Sequence, residues 1–352
     1  MPLLTRMVAA PMTIDIRAGA VAGLAPLLAD RRISREGHVA IAVGPGLGEE
    51  IAAILRPDLV NAELITVHGG TLEAASDLAT RLRSGFYDAL VGIGGGRTID
   101  VAKSAASMTG LPMVAVATNL AHDGIASPVS SLVAGGRKAS FGVNPPIAIV
   151  IDLDYVHRSP AAMRRGGFGD VVSNLSAIAD WRIAEQACGE IVDGVAITFA
   201  RTAAAAVLHR DDSVDSTDFL VALAEALVLS GLAMATAGSS RPCSGAEHEI
   251  VHAVDHLFPG TANHGELVAV ATLFACFLRG DVRLTATIDD ALSRHELPRL
   301  PSDLGLTEQQ FVQAILAAPA TRPDRFTVLE QLELDAHAAT RLVGEFVEAF
   351  VA

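Results

Sequence analysis

Along the first half of the chain, short runs of β-branched and apolar residues alternate with longer stretches whose apolar positions recur at helical spacing. That pattern predicts parallel strands joined by helices, because crossover helices cover both faces of such a sheet and let its strands be continuously apolar. The predicted strands are residues 39–43, 64–67, 89–93, 113–117 and, after the interruption at Pro145 and Pro146, 147–151. Beyond about Tyr155 the strand pattern gives way to helices rich in Ala and Leu, over 170–185, 195–208, 219–234 and 267–278, with Gly and Pro at most breaks. The acidic stretch 211–218 reads as a solvated loop, and 336–351 as a packing helix. The predicted fold class is α/β: an α/β domain of parallel strands and helices over 1–157, then an all-helical domain over 158–352. A chain of 352 residues exceeds what one core normally supports, which agrees with two domains.

Composition narrows the function. Half of the residues are apolar and few are aromatic, as in folded α/β and helical layers rather than disorder. A net charge of −14 argues against a nucleic-acid partner or an anionic membrane, so an anionic substrate would need a local basic pocket. Cys188, Cys243 and Cys276 are too few and too scattered for a disulfide framework or a cysteine zinc site. Residues 1–11 lack a signal-peptide pattern, and no uninterrupted apolar segment approaches the roughly 20 residues of a membrane helix. The expectation is a cytoplasmic protein without membrane insertion.

Two segments carry nucleotide chemistry. In the run from Val91 to Lys103, VGIGGGRTIDVAK, a glycine cluster lies between a buried strand and an amphipathic helix. Glycines let backbone approach a pyrophosphate, and the helix N-terminus offers amides and a positive dipole end. The alternative, a tight turn needing positive φ, stays open on these residues alone. Directly after the 113–117 strand comes TNLAHDGIASP, where Thr118 and Ser127 could bond phosphate, ribose or carboxamide groups. Here too a structural alternative stays open, with Asp123 and Ser127 as turn and cap residues.

The helical half holds GFGD ending at Asp170, SGAEHEIVH containing His248 and His252, and NHGE containing His264. One carboxylate and two imidazoles are a reasonable ligand set for a divalent metal, zinc above all, with a position left for substrate. His248 and His252 are four apart and share a helical face, which His256 continues. Spacing alone does not bring Asp170, His248 and His264 together.

The ordered occurrence of GIGGGRTIDVAK, HDGIASP, GFGDVVSN, SGAEHE and NHGE between Gly92 and Glu266 resembles the glycerol-1-phosphate dehydrogenase branch of a larger family. That family also includes glycerol dehydrogenase, the iron-containing alcohol dehydrogenases and dehydroquinate synthase. The resemblance implies a Rossmann-like first domain and a dehydroquinate synthase-like helical second domain. It implies that Gly94, Gly95, Gly96 and Asp100 line the dinucleotide site, with Thr118, Asp123 and Ser127 along the cofactor or substrate edge. It implies that Asp170, His248 and His264 hold the metal, with Zn2+ usual and Fe2+ or Ni2+ as alternatives. Asn174 stands where iron-dependent relatives have a further histidine, a departure that favours zinc. His252 falls where some relatives have a histidine suspected of proton relay.

The implied chemistry is metal-assisted hydride transfer between NAD(H) or NADP(H) and a small ketone or polyol. The branch implies reduction of dihydroxyacetone phosphate to sn-glycerol 1-phosphate, a step of phospholipid metabolism, with Asp123, His252 or metal-bound water delivering the proton. Arg241, Arg137 and Lys138 are the candidates for the substrate phosphate. The segment VHGG at 67–70 carries neither an acid suited to a ribose hydroxyl nor an arginine, so both cofactors stay open. Relatives often self-associate, which makes a homo-oligomer an expectation. Two rival readings are a phosphate-eliminating sugar phosphate cyclase like dehydroquinate synthase and a catalytically silent nucleotide-binding protein.

Overall fold

The structure, a computed structural model, describes residues 8–30, 32–34, 38–59 and 61–351. Part of the stretch 1–11, read for a leader pattern, lies outside the described residues. The chain divides into two compact units. One comprises Met1–Ser159 with Met234–Ser239, and the other Pro160–Ala233 with Ser240–Ala352.

The first unit is built on strands β1(Thr13–Arg17), β2(Val39–Val43), β3(Glu63–Thr66), β4(Ala89–Gly94), β5(Met113–Ala117), β6(Val129–Ala134), β7(Arg137–Gly142) and β8(Ala148–Asp152). Its helices are α1(Leu24–Leu28), α2(Leu47–Leu55), α3(Leu72–Ser84), α4(Gly96–Thr109) and α5(Leu153–Arg158). Six strands form one parallel sheet in the order β1-β8-β5-β4-β2-β3, and every residue of β2, β4, β5 and β8 is buried. That burial on both faces is why these strands are unbroken apolar runs. The core gathers Val39, Ile41, Val43, Val91, Ile93 and Val116 with Leu24, Ile51 and Leu55 from the helices. The direction of chain progression reverses between β2 and β4. The carboxyl ends of those two strands therefore flank a switch point, the place where open α/β sheets bind ligands.

Two features of this unit escape the apolar pattern. β1 is an edge strand, five residues long and with no fully buried position, so its signal is weak. β6 and β7 form an antiparallel hairpin joined by Gly135 and Gly136, whose φ of 57° and 78° make the two-residue turn that right-twisted hairpins prefer. The Gly-Gly pair was the available signal for it.

The second unit contains α6(Ala161–Val172), α7(Asn174–Cys188), α8(Gly194–Leu208), α9(Thr217–Ala237), α10(Ala246–Leu257), α11(His264–Leu278), α12(Val282–Arg294), α13(Glu308–Ala317), α14(Val328–Leu332) and α15(Ala336–Phe350); the last residues of α9 count with the first unit. Phe274 on α11 packs against Phe311 on α13 and Phe346 on α15, each with ring centroids 5.2 Å apart and near edge-on, which anchors α11. The stretch 211–218 is mostly exposed, although Val214 is buried.

The pattern placed a helix start at Asp170, but α6 begins nine residues earlier and ends at Val172, with α7 following from Asn174. The reason is its glycines. Gly166, Gly167 and Gly169 read as helix breakers, yet all three lie within α6, where Gly169 and the Gly166 backbone pack directly against Gly265 of α11. A second correction concerns length: α9 has 21 residues and is apolar enough to cross a membrane by length and composition. Of its most apolar window, 72% is buried inside the protein, and Glu225 in its middle is exposed, as on a core helix with one wet edge.

Candidate functional site

At the switch point of the first unit, glycines let β4, α4 and neighbouring side chains touch. A Cβ at Gly95 would lie 2.6 Å from Asn119 Nδ2, and one at Gly96 would lie 2.1 Å from His122 Nε2. Gly44, at the end of β2, leaves room for Thr98, whose Oγ1 would be 2.2 Å from a Cβ there. Close approach, rather than positive φ, is what Gly95 and Gly96 provide. Gly95 caps α4 with no side-chain bond, so the amides of the first turn have no side-chain cap. Thr118 donates its amide to the Gly94 carbonyl at 3.0 Å and joins this wall.

Asp100 and Ser127 sit deeper. Asp100 is 3% exposed, pairs with the fully buried Lys103 at 3.1 Å, and accepts from the Ser131 amide at 3.2 Å. Lys103 Nζ also donates to the carbonyls of Ser127 and Val129, and Ser127 Oγ donates to Val129 O at 3.2 Å. This buried pair ties α4 to the β6 strand beside it. Asp123 is half-buried and opens a 3-10 turn, where its carbonyl accepts the amides of Ala126 and Ser127. His122 Nδ1 accepts from the Gly124 amide at 3.0 Å, which holds its ring against Gly96.

In the second unit Asp170, His248 and His264 come together, each offering a ligand atom within 4.8 Å of the others. Asp170 comes from the last turn of α6, His248 from the first turn of α10, and His264 is the first residue of α11. The motif glycines explain the meeting. A Cβ at Gly169 would stand 2.4 Å from the Gly265 carbonyl oxygen, and one at Gly265 would stand 1.9 Å from that of Gly166. The backbones of α6 and α11 therefore cross in direct contact, and Asp170 and His264 are the residues adjoining those glycines. Glu266 accepts from the Asn263 amide at 3.3 Å and fixes the start of α11.

The geometry fits a divalent cation. Asp170 Oδ1 lies 3.6 Å from both His248 Nε2 and His264 Nε2, too far for good hydrogen bonds. It is near the separation of about 3.4 Å that follows from tetrahedral zinc with bonds of about 2.0–2.1 Å. Burial alone pushes the Asp170 carboxyl up, but the two imidazoles hold it well below the usual carboxylate range. Burial likewise opposes charge on His248, yet Asp170 and Glu247 push it up to about 9. A field that retains a proton at that pH also favours a cation. The side chain of His264 is 27% exposed while that of Asp170 is 3%, so the cluster opens on the His264 side.

Behind His248 runs a buried network whose members are scattered along the chain, so that only the fold assembles it. Glu247 Oε1 lies 3.0 Å from His248 Nδ1, leaving Nε2 for a metal; Glu247 Oε2 accepts from Ser176 Oγ at 2.7 Å. Arg279 donates to Ser176 Oγ at 2.7 Å and pairs with Asp180 at 2.8 Å, and Asp180 accepts from the Ala246 amide at the head of α10. The only sequence signal was the adjacency of Glu247 to a candidate ligand.

His252 lies one turn beyond His248, and its Nε2 faces Arg322 Nη2 at 3.2 Å. A guanidinium only donates, so His252 Nε2 accepts and the ring proton sits on Nδ1. His256 is exposed and does not join the cluster. Asn174 turns into the helix packing, donating to Ala200 O and Ser230 Oγ. Arg241 is committed to Glu190 and to the Phe326 carbonyl, which removes it as a free phosphate ligand. Arg137 and Lys138 are exposed on β7. Cys243 is buried in a 3-10 turn with Sγ 3.4 Å from Ser230 O.

A parallel sheet with a glycine-lined switch point, followed by a helical unit presenting one carboxylate and two imidazoles, defines a class that comparison with known proteins makes specific. Residues 15–160 match the family model described as iron-containing alcohol dehydrogenase. The glycerol-1-phosphate dehydrogenase, NAD(P)+, of Archaeoglobus fulgidus is 38% identical over 77% of this chain and 79% of its own. The protein of the same name from Hyperthermus butylicus is 34% identical over 94% of this chain and 96% of its own. A probable glycerol dehydrogenase from Sinorhizobium meliloti 1021 has the same fold, with a TM-score of 0.79 at 20% identity, covering 98% of this chain and 99% of that one. The chain belongs to the iron-containing alcohol dehydrogenase family, a family of oxidoreductases.

Proposed function

We propose that this protein reduces dihydroxyacetone phosphate to sn-glycerol 1-phosphate with hydride from NADH or NADPH, using a bound metal, with Zn2+ as the first choice and Fe2+ or Ni2+ as alternatives. The observation that carries the reading is the convergence of Asp170, His248 and His264 in a chain whose relatives bear that activity in their names. Residues 1–157 would bind the dinucleotide, and 158–352 the metal and substrate.

A bound divalent cation supplies Lewis acidity, stabilising negative charge that develops on the reacting oxygen. Asp170, His248 and His264 hold it, and Glu247 keeps His248 presenting Nε2. Gly94, Gly95, Gly96 and Thr118 form the wall that the pyrophosphate approaches, with the N-terminus of α4 behind them. Asp100 and Ser127 hold that wall from within. His252, with its proton on Nδ1, and Asp123 are the residues assigned to proton delivery.

The test is a substrate panel followed by NADH and NADPH absorbance, with dihydroxyacetone phosphate, dihydroxyacetone, glycerol and simple alcohols. Dihydroxyacetone phosphate is expected to be preferred over dihydroxyacetone by at least about 100-fold in kcat/KM, and the product to be the sn-1 enantiomer. Turnover of unphosphorylated polyols alone overturns the reading. So does release of phosphate with no net change in cofactor, the behaviour of a cyclase.

The glycine wall makes its own prediction. Gly96→Ala is expected to push the His122 ring off the loop and raise the KM for NAD(P)H by roughly tenfold, the equivalent of ~1.4 kcal/mol, with metal content unchanged. Equal cofactor titrations for the variant and the parent protein would remove this loop from the binding site.

A further inference from the structure

Two arginines of the helical unit stand apart from the chain's other buried guanidinium groups. Arg164, Arg241 and Arg279 each pair with a carboxylate. Arg322 and Arg325 do not, and among the described residues no carboxylate lies within 4 Å of either. Their partners are all neutral. Arg322 donates to Ser240 Oγ and Ser244 Oγ at 3.1 Å and to His252 Nε2 at 3.2 Å; Arg325 donates to Ser240 Oγ at 3.0 Å and to the Ser244 carbonyl. Both side chains are only partly exposed, and they share Ser240 and Ser244. Burial, and then the neighbouring Arg322 and Arg241, push the Arg325 guanidinium down to about 9. Glu249 attracts both from farther away, while its Oε2 accepts from Thr327 Oγ1.

Like charges held together against neutral partners raise the energy of a folded protein unless something anionic joins them. The position of the pair says what that anion is. Ser244 lies just ahead of α10 and His252 one turn beyond His248 on it, so Arg322, by bonding both, spans the stretch of chain that carries the central histidine. An anion there is held next to whatever reacts at Asp170, His248 and His264. In a chain of net charge −14, a phosphorylated substrate needs such a local basic site.

We propose that Arg322 and Arg325 form the subsite for the phosphate of the substrate, with their planar forks grasping a phosphomonoester dianion and Ser240, Ser244 and His252 fixing the forks in place. This inference rests on the proposed function for the identity of the substrate, and on the geometry of the arginines for the anion.

The test uses the full-length holoenzyme and the variants Arg322→Met, Arg325→Met, Arg322→Lys and Arg325→Lys. Calorimetry with inorganic phosphate reads the subsite without turnover. Each Met variant is expected to weaken phosphate binding by about 10- to 100-fold, with the Lys variants between it and the parent. The preference for dihydroxyacetone phosphate over dihydroxyacetone should fall by a similar factor, while the KM for NADPH and for NADH stays the same. Unchanged phosphate affinity and unchanged preference in either Met variant overturn the proposal. A rise confined to the KM for NADPH also overturns it, because the pair would then hold a cofactor phosphate. If a Met variant fails to fold, the Lys variants and the parent protein decide; absence of saturable phosphate binding to the parent is again fatal. Phosphate binding that is lost in the variants, in a protein that does not reduce dihydroxyacetone phosphate, would leave the subsite standing and remove the substrate.

Discussion

Replacing Asp170 by Asn is expected to drop bound metal from about one ion per chain to under about a tenth and to lower kcat by about 1,000-fold or more. The expectation follows from what Asp170 contributes. It is the only anionic member of the three, its side chain is 3% exposed, and its Oδ1 stands 3.6 Å from both imidazoles. Asparagine keeps the volume but removes the charge that balances a divalent ion. Glu247→Gln, which leaves all three ligands in place, should weaken metal binding by about 10- to 100-fold because His248 loses its carboxylate partner. Elemental analysis after gel filtration, together with competition against a chromophoric chelator, measures both. A folded Asp170→Asn protein with full metal content and near-parent activity would sink the three-residue site.

Gly265→Ala is expected to be nearly as damaging although it touches no ligand atom. Its Cβ would lie 1.9 Å from the Gly166 carbonyl oxygen, and backbone cannot swing aside as a flexible side chain can. Helices α6 and α11 must separate, and Asp170 and His264, next to the crossing on either side, must separate with them. Overpacking of this kind costs about 1–3 kcal/mol or more, so a lowered urea midpoint should accompany a loss of metal affinity of at least about tenfold. Gly344→Ala is the contrast. A Cβ there meets nothing within 4 Å, and the residue is in mid-helix, so the substitution should stabilise by about 0.5–1 kcal/mol and leave the metal untouched. Metal affinity that survives Gly265→Ala in a folded protein would show that the glycine crossing does not position the ligands.

Much of the first unit was legible along the chain. β2 and β5 fall on the predicted residues because strands buried on both faces admit only apolar side chains, and nothing local competes with that pattern. β1 escaped because an edge strand is half wet and short; the β6–β7 hairpin escaped because its outward residues are polar, although Gly135-Gly136 marks its turn. In the second unit the helices were legible as helices, but their limits were not. Gly166, Gly167 and Gly169 look like an interruption when read alone, and become part of α6 only because α11 lies against them. Arg241 illustrates the same limit for chemistry: its place ahead of the His248 helix made it a phosphate candidate, and only the fold gave it Glu190 as a partner.

By itself, then, the sequence determined the alternation of strand and helix, the glycine-to-helix junction at Gly94–Gly96, and which residue types could hold a metal. These are properties of neighbouring residues, and local periodicity and side-chain chemistry suffice for them. Tertiary structure alone decided that Asp170, His248 and His264 share one point, that Glu247 stands behind His248, and that Arg322 and Arg325 form no ion pair with a carboxylate among the described residues. Residues 78 and 16 positions apart meet only where helices cross. How closely helices cross is set by the absence of side chains at Gly169 and Gly265 as much as by the side chains that are present.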